Sequence, residues 1–234
     1  MTLESPRKRT PSDILRRAVR NNAEWCELVA NSHGVPNTWS DSVWYAAGRM
    51  PPFYPSVVSL EPGVRREDIL ELVQNLPPEC GRKDSFADLD LTEFDFSVGF
   101  EANWYALSGP LRGAYSAKSV ATVTSADELD EWTAAWDETP IGQSIFLPNL
   151  IGPNVRFLFR RNAESIDAGL VATESMDAVG LTNTFGSPEG IAQCICGTFE
   201  SAHGLPLVGY GSADELRMMA ALGFKDLGRL RVWL

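Results

Sequence analysis

Residues 183–197 read NTFGSPEGIAQCICG. An apolar run ends at Phe185-Gly186 and a helix begins at Ser187-Pro188. Serine is a favoured N-cap, and proline suits the first helical position because the N–H it lacks would have no intrahelical partner there. Ile191, Cys194, Ile195, Thr198 and Phe199 then fall at i, i+3, i+4, i+7 and i+8, the spacing of one helical face. The stretch therefore predicts a strand, a tight loop and a helix. Such a loop can offer the unpaired amides of a helix N-terminus to an anion. Three of its residues oppose that use: the Ser187 hydroxyl would take one amide, Pro188 supplies none, and Glu189 puts a carboxylate in the first turn. Repulsion of that carboxylate from a bound anion would cost about 1–4 kcal/mol at intermediate dielectric.

Working outward, VRFLFRR from 155, DAGLVATES from 167 and DAVGLTNTFG from 177 are three strand-like runs with short polar separators, which predicts an antiparallel meander. After the central helix comes HGLP at 203–206, a helix stop. PLVGY at 206–210 reads as a strand, and Ser212 with Glu215 forms a capping box for the helix ADELRMMAALGF. LGRLRVWL closes the chain as a strand. Ahead of the meander, Ser125 and Glu128 form another capping box, with Leu129, Trp132 and Trp136 on one helical face.

In the first half, Ser12 caps a helix carrying Ile14, Ala18, Trp25 and Val29 on one side and ending at His33-Gly34. YPSVVSLEPG at 54–63 reads as a strand and REDILELVQNL at 66–76 as a helix. SFADLDL at 85–91 and FSVGFEANWYAL at 96–107 read as further strands. The Gly/Ser/Ala-rich stretch 106–121 is a candidate joint. The expected division is a disordered basic tail at 1–10, an N-terminal half at 11–121 and a C-terminal half at 122–234. Both halves contain a helix stop of one type, NSHGVP and ESAHGLP, which either shared capping chemistry or a degenerate duplication would produce.

The chain of 234 residues has a net charge of −11, which opposes nonspecific binding along a nucleic-acid backbone. Basic residues gather at the start (Arg7, Lys8, Arg9, Arg16, Arg17, Arg20), either as a phosphate-touching arm or as a solvated tail and helix face. No apolar run reaches the roughly 20 residues of a membrane helix, and the N-terminus lacks the apolar core of a secretory signal. Cys26, Cys80, Cys194 and Cys196 are too sparse for a disulfide framework, so a reducing, cytoplasmic setting is expected. Cys194 and Cys196 diverge by about 200° on a helix and cannot share an ion, so no metal site is expected. His33 and His203 read as last-turn residues suited to the helix dipole. Glu101 and Asn103 share a strand face that could line a cleft, and Lys83 and Asp84 stand at a strand mouth. No nucleophile-elbow serine, P-loop lysine or dinucleotide fingerprint is present.

The element order of the second half, with GLTNTFG…GIA before a helix and MMAALGFKDLGRLRVWL at the end, resembles the GCN5-related N-acetyltransferase (GNAT) superfamily over about residues 122–234. Residues 35–105 resemble a reduced, partial copy, a tandem or one-and-a-half arrangement. The resemblance implies an α/β fold with a mixed sheet, GNAT-like in the C-terminal half and reduced in the N-terminal half. It implies N-acyl transfer to a small-molecule or peptide amine, with no tightly bound cofactor and acyl-CoA as cosubstrate in the gap between two splayed strands. The implied donor contacts are Leu181, Thr182, Asn183, Thr184, Ser187, Gly190 and Ala192. Gly190 and Ala192 match the family's pyrophosphate-loop pattern, whereas Ser187 replaces its Gln or Arg. Met219 stands where many relatives have a general-acid Tyr, and a thioether has no proton to give. Candidate catalytic residues are Tyr210, Asn183 and Glu174, acting on a directly attacking amine. The alternatives are a transferase drawing on aminoacyl-tRNA, which the altered loop and basic arm would suit, and a catalytically silent binding module.

Overall fold

A computed structural model describes residues 12–73, 80–137, 144–163 and 165–234. The basic tail and the last residues of the predicted helix 66–76 lie outside the described residues. Ser12 caps the first helix, α1 (Asp13–Ser32), its Oγ accepting from the Leu15 N–H. The helix ends at His33, with Gly34 beyond it at φ +67°, a conformation that costs glycine little. There follow β1 (Asn37–Trp39), β2 (Val43–Ala46), β3 (Val57–Ser59), α2 (Arg66–Val73), β4 (Arg82–Asp84) and β5 (Val98–Leu107). The remainder is β6 (Val120–Thr122), α3 (Ala126–Trp136), β7 (Val155–Asn162), β8 (Ser165–Glu174), β9 (Val179–Gly186), α4 (Pro188–Ser201), β10 (Leu207–Gly211), α5 (Ala213–Ala221) and β11 (Lys225–Trp233).

All the strands join one mixed sheet in the order β1-β2-β3-β4-β11-β5-β10-β9-β8-β7-β6. The predicted meander is β7-β8-β9, antiparallel throughout, with β6 added at its edge. β5 threads between β10 and β11, antiparallel to both, with Leu107 opposite Leu207 and Glu101 opposite Arg231. A strand from the first half of the chain thus fills the centre of the sheet built by the second half. Residues 108–119 then carry the chain from that centre to the far edge at β6.

Alternation along the strands sorts two cores. Phe157 and Phe159 of β7 and Val171 of β8 pack with Trp25 of α1 and Trp132 of α3 on one face. Leu158, Leu170, Val179 and Leu181 pack with Ile191 and Ile195 of α4 and Met219 of α5 on the other. Ala102, Trp104 and Ala106 of β5 meet Leu15, Ala18 and Val19 of α1, locking the inserted strand under the first helix. Phe199, expected on the buried stripe of α4, is 37% exposed, because α4 covers the sheet only as far as Thr198.

Residues 85–91 are not a strand. The strand there is β4, and its last residue, Asp84, is fully buried and accepts from the backbone N–H groups of Phe86, Asp88 and Leu89 at 3.3, 3.3 and 3.0 Å. Those bonds wrap the chain around the carboxylate, with Ala87 at φ +51°. Alternating apolar residues alone could not reveal this. Asp84→Ala leaves buried amides without an acceptor, so urea denaturation should show a loss of about 3 kcal/mol; an unchanged midpoint would contradict the role given to Asp84.

The serines of both capping boxes accept the expected N–H, from Glu128 at 3.2 Å and from Glu215 at 3.3 Å. The glutamates differ. Glu128 accepts from the Thr124 N–H and hydroxyl at 2.7 and 2.9 Å, whereas the Glu215 carboxyl turns inward. The two His-Gly stops also differ: His33 is itself the cap of α1, while α4 is capped by Ala202 and His203 lies beyond it at φ +52°.

Candidate functional site

β9 and β10 pair in parallel only from Val179–Leu207 to Leu181–Gly209. Beyond that point the strands part, leaving backbone groups of Thr182–Thr184 and Tyr210–Gly211 without a partner strand between them. Two local features set the parting. The register of β8 against β9 slips between Gly169/Phe185 and Val171/Thr182, so two residues of β9, Asn183 and Thr184, stand against one of β8, Leu170. Asn183, at φ +52°, lies in this bulge and bends β9 away. Gly209 marks the last paired position: a Cβ there would stand 2.7 Å from the Leu181 carbonyl oxygen and 2.6 Å from the Tyr105 ring.

A cavity of about 1140 Å³ opens onto the gap. Thr182, Asn183 and Thr184 of β9, Tyr210 and Gly211 of β10 and Glu215 of α5 form its floor. Asn22, Trp25 and Cys26 of α1, Lys83 of β4 and the loop 49–56 form its walls and roof. The N-terminal half therefore encloses a site whose floor the C-terminal half supplies.

The polar groups are arranged for proton transfer and charge stabilisation. Burial pushes the Glu215 carboxyl up to about 7, the hydrogen bond donated by Tyr105 Oη at 3.1 Å only partly opposing it. Tyr54 Oη donates to Asn183 Oδ1 at 3.2 Å, and Thr182 Oγ1 donates to the same oxygen at 3.1 Å. With its oxygen so occupied, Asn183 is oriented to present Nδ2–H groups as donors. Thr184 Oγ1 is buried with no partner among the described residues. Burial raises the Tyr54 and Tyr105 phenols well above their ordinary value, keeping both as neutral donors. It also lifts the Cys26 thiol to about 11, which removes the thiolate a covalent route would need.

The loop that opens α4 stands apart from this cavity. Ser187 Oγ accepts from the Gly190 N–H at 3.2 Å, and the Ser187 carbonyl from the Ile191 N–H at 2.9 Å. Arg160 donates to Ser187 Oγ at 3.0 Å while paired with Asp167. Ala168 packs so closely that a Cβ on Gly190 would lie 2.4 Å from its own. With Pro188 lacking an N–H and Glu189 in the first turn, little remains here to hold a pyrophosphate. The splay thus leaves backbone groups open to the cavity, whereas the loop opening α4 is capped from within and offers a diphosphate little.

Of the residues singled out from sequence, Thr182, Asn183, Thr184 and Tyr210 come together at the cavity. Ser187, Gly190 and Ala192 lie outside it, and Leu181 turns into the core against α4 and α5. Glu174 is exposed, opposite Val179 at the far end of β8 from the splay. Glu101 and Asn103 do share a face, but Glu101 pairs with Arg229 and Arg231 and Asn103 donates to Asp226. Met219 is fully buried core. The described cysteines are free and buried, and no cluster of metal-ligating side chains occurs among the described residues. Glu215, Tyr54 and Tyr105 were not expected at the site. Glu215 carries the same signal as an ordinary capping residue, and the two tyrosines arrive from distant segments.

No family model matches the chain, and no curated protein matches it. Its fold is nonetheless that of the GNAT proteins. A GCN5-related N-acetyltransferase from Kribbella flavida superposes with a TM-score of 0.64 at 15% identity, covering 92% of this chain and 94% of that one. A GNAT-family structure from Novosphingobium aromaticivorans gives 0.57 at 13% identity, with 89% and 94% covered. A GCN5-related N-acetyltransferase-like protein from Streptococcus suis gives 0.52 at 13%, with 94% and 98% covered. These coverages extend well beyond the C-terminal half, so the likeness takes in part of the first half of the chain as well. No helix among the described residues is long and apolar enough to cross a membrane.

Proposed function

We propose that the protein is an N-acyltransferase that passes an acyl group from a thioester to an amine in the splay cavity. The observation that carries this reading is the placement of Glu215: its half-buried carboxyl lines the cavity at the gap between β9 and β10 and accepts from Tyr105 Oη, and desolvation pushes it up to about 7. A base in that range can take a proton from an ammonium near neutral pH without being wasted as a strong acid. The freed amine attacks the acyl carbon, and the oxyanion forms within reach of Asn183 Nδ2 and the unpaired backbone of the splay. The carbon–sulfur bond then breaks, Tyr210, which lines the cavity, supplies the proton for the leaving thiolate, and the second proton shed by the attacking nitrogen returns to Tyr210. We therefore assign the base to Glu215 and not to Glu174, which sequence alone places among the candidate catalytic residues.

The donor is an acyl thioester whose pantetheine-like arm lies along β9; the loop at 187–190 contributes no grip on a diphosphate. The described arginines of α1 are already engaged, Arg16 with Glu61, Arg17 with Asp13 and Asp177, and Arg20 with Glu24, so α1 gives the aminoacyl-tRNA alternative no support. The free thiols suit the cytoplasm, which we include in the proposal.

The test is thiol release from acetyl-CoA and from S-acetylpantetheine with a panel of amines and amino acids. Both donors should turn over, with KM values within about threefold, because a single charge-assisted contact would already separate them by more. No turnover with either donor sinks the proposal. A strong preference for acetyl-CoA would restore a diphosphate contact that the loop geometry denies.

A further inference from the structure

Lys83 lies in β4 with its side chain on the α1 face of the sheet, only 3% exposed yet lining the cavity. Its Nζ donates to Asn22 Oδ1 at 2.8 Å and stands 4.1 Å from the centroid of the Tyr210 ring. The neighbours on β4 face away from it. The Arg82 guanidinium covers the Phe96 ring at 4.3 Å, and the Asp84 carboxylate is committed to the backbone amides of the 84–89 turn. The titratable groups facing Lys83 are the Cys26 thiol, held neutral by burial, and the Tyr210 phenol. Glu215 shares the cavity but is engaged by Tyr105, and no carboxylate stands within ion-pair distance of Nζ among the described residues.

An ammonium has three N–H donors, and Asn22 satisfies one of them. Burying such a cation without a counter-charge costs several kcal/mol, whereas a methionine would fill the same space at no such cost. The aromatic face and the amide oxygen offset only part of that cost. The cavity lining also includes the apolar and aromatic side chains of Trp25, Met50, Tyr54 and Phe100.

We propose that Lys83 is a binding residue for an anionic oxygen group on the acceptor, which makes the acceptor an amine that also bears a carboxylate and an apolar body. The carboxylate supplies the missing counter-charge at Lys83, the apolar body lies against the aromatic walls, and the ammonium reaches Glu215. Only the last part rests on the acyl-transfer reading; the anion site stands on the charge and burial of Lys83.

The test is calorimetric binding, with no donor present, of 3-phenylpropionate and of its neutral counterpart 3-phenylpropanamide. The wild-type protein should prefer the acid by about tenfold or more, the range of a hydrogen bond to a charged group. Lys83→Met should abolish the preference while leaving affinity for the amide within about twofold, and Lys83→Arg should retain much of it. Equal affinities in the wild type, no detectable binding of the acid at about 10 mM, or a preference that survives in Lys83→Met would each overturn the proposal. If Lys83→Met does not fold, the wild-type comparison decides alone. Because no acyl donor is used, an intact acid preference without any acyl transfer would sink the proposed activity and leave the anion site standing.

Discussion

Replacing Glu215 by glutamine is expected to slow amine acylation by about 10²–10⁴-fold, the usual worth of a positioned general base. Glutamine keeps the shape and can still accept from Tyr105, but it cannot take a proton. The same change should make the protein more stable in mild alkali. Glu215 has its carboxyl raised from 4.5 to about 7 by burial, so the folded chain holds the proton more tightly than the unfolded chain. The stability from that proton is complete below 4.5 and is lost as pH rises through about 7. At pH 8 the wild type carries a buried charge that the glutamine variant lacks, a difference of about 2–3 kcal/mol. Paired urea denaturations at pH 5 and pH 8 check this. A variant that is less active but no more stable at pH 8 would mean that Glu215 is solvated and its carboxyl ordinary.

Gly209→Ala is the second large effect. The added Cβ would lie 2.7 Å from the Leu181 carbonyl oxygen and 2.8 Å from Tyr105 Oη. Neither neighbour can retreat cheaply. The carbonyl belongs to the sheet, and Tyr105 is fully buried on the strand between β10 and β11. Overpacking of this kind costs about 1–3 kcal/mol, which for a chain of this size lowers Tm by about 3–10 °C. It also shifts the phenol that donates to Glu215, so activity should fall by more than the stability loss explains. Gly34→Ala is the control: a Cβ there meets nothing within 4 Å, so only backbone strain at φ +67° is added and no contact of β10 or Tyr105 is touched.

Much of the C-terminal architecture was readable because its elements are long and periodic. β7, β8 and β9 are apolar-rich runs of eight, ten and eight residues with short polar separators, and α4 carries a stripe from Ile191 to Thr198. β1, β2, β4 and β6 span only three or four residues each, too few for a period to show. The insertion of β5 between β10 and β11 depends on pairing across more than a hundred residues of sequence separation, as in Asn103 opposite Arg229. No local signal encodes that. The site divides in the same way. Thr182, Asn183, Thr184 and Tyr210 follow from the placement of the splay, which the order of elements implies. Glu215 sits three residues after a capping serine, where its commonest use is the cap, and only the approach of Tyr105 from β5 shows that its carboxyl points inward. Ser187 shows the reverse. It lies in a loop that resembles a phosphate cradle, and its hydroxyl fills that cradle from within.

The pH dependence of kcat, measured from pH 5.5 to 9 with saturating S-acetylpantetheine and the best amine of the panel, tests the assignment of this cavity most directly. In the wild type kcat should rise tenfold per pH unit below about 7 and level off above it, as the carboxyl of Glu215 ionises in the loaded enzyme. The rise should vanish in Glu215→Gln. A flat profile in the wild type, or the same break near 7 in Glu215→Gln, would contradict acyl transfer driven by Glu215 at the splay.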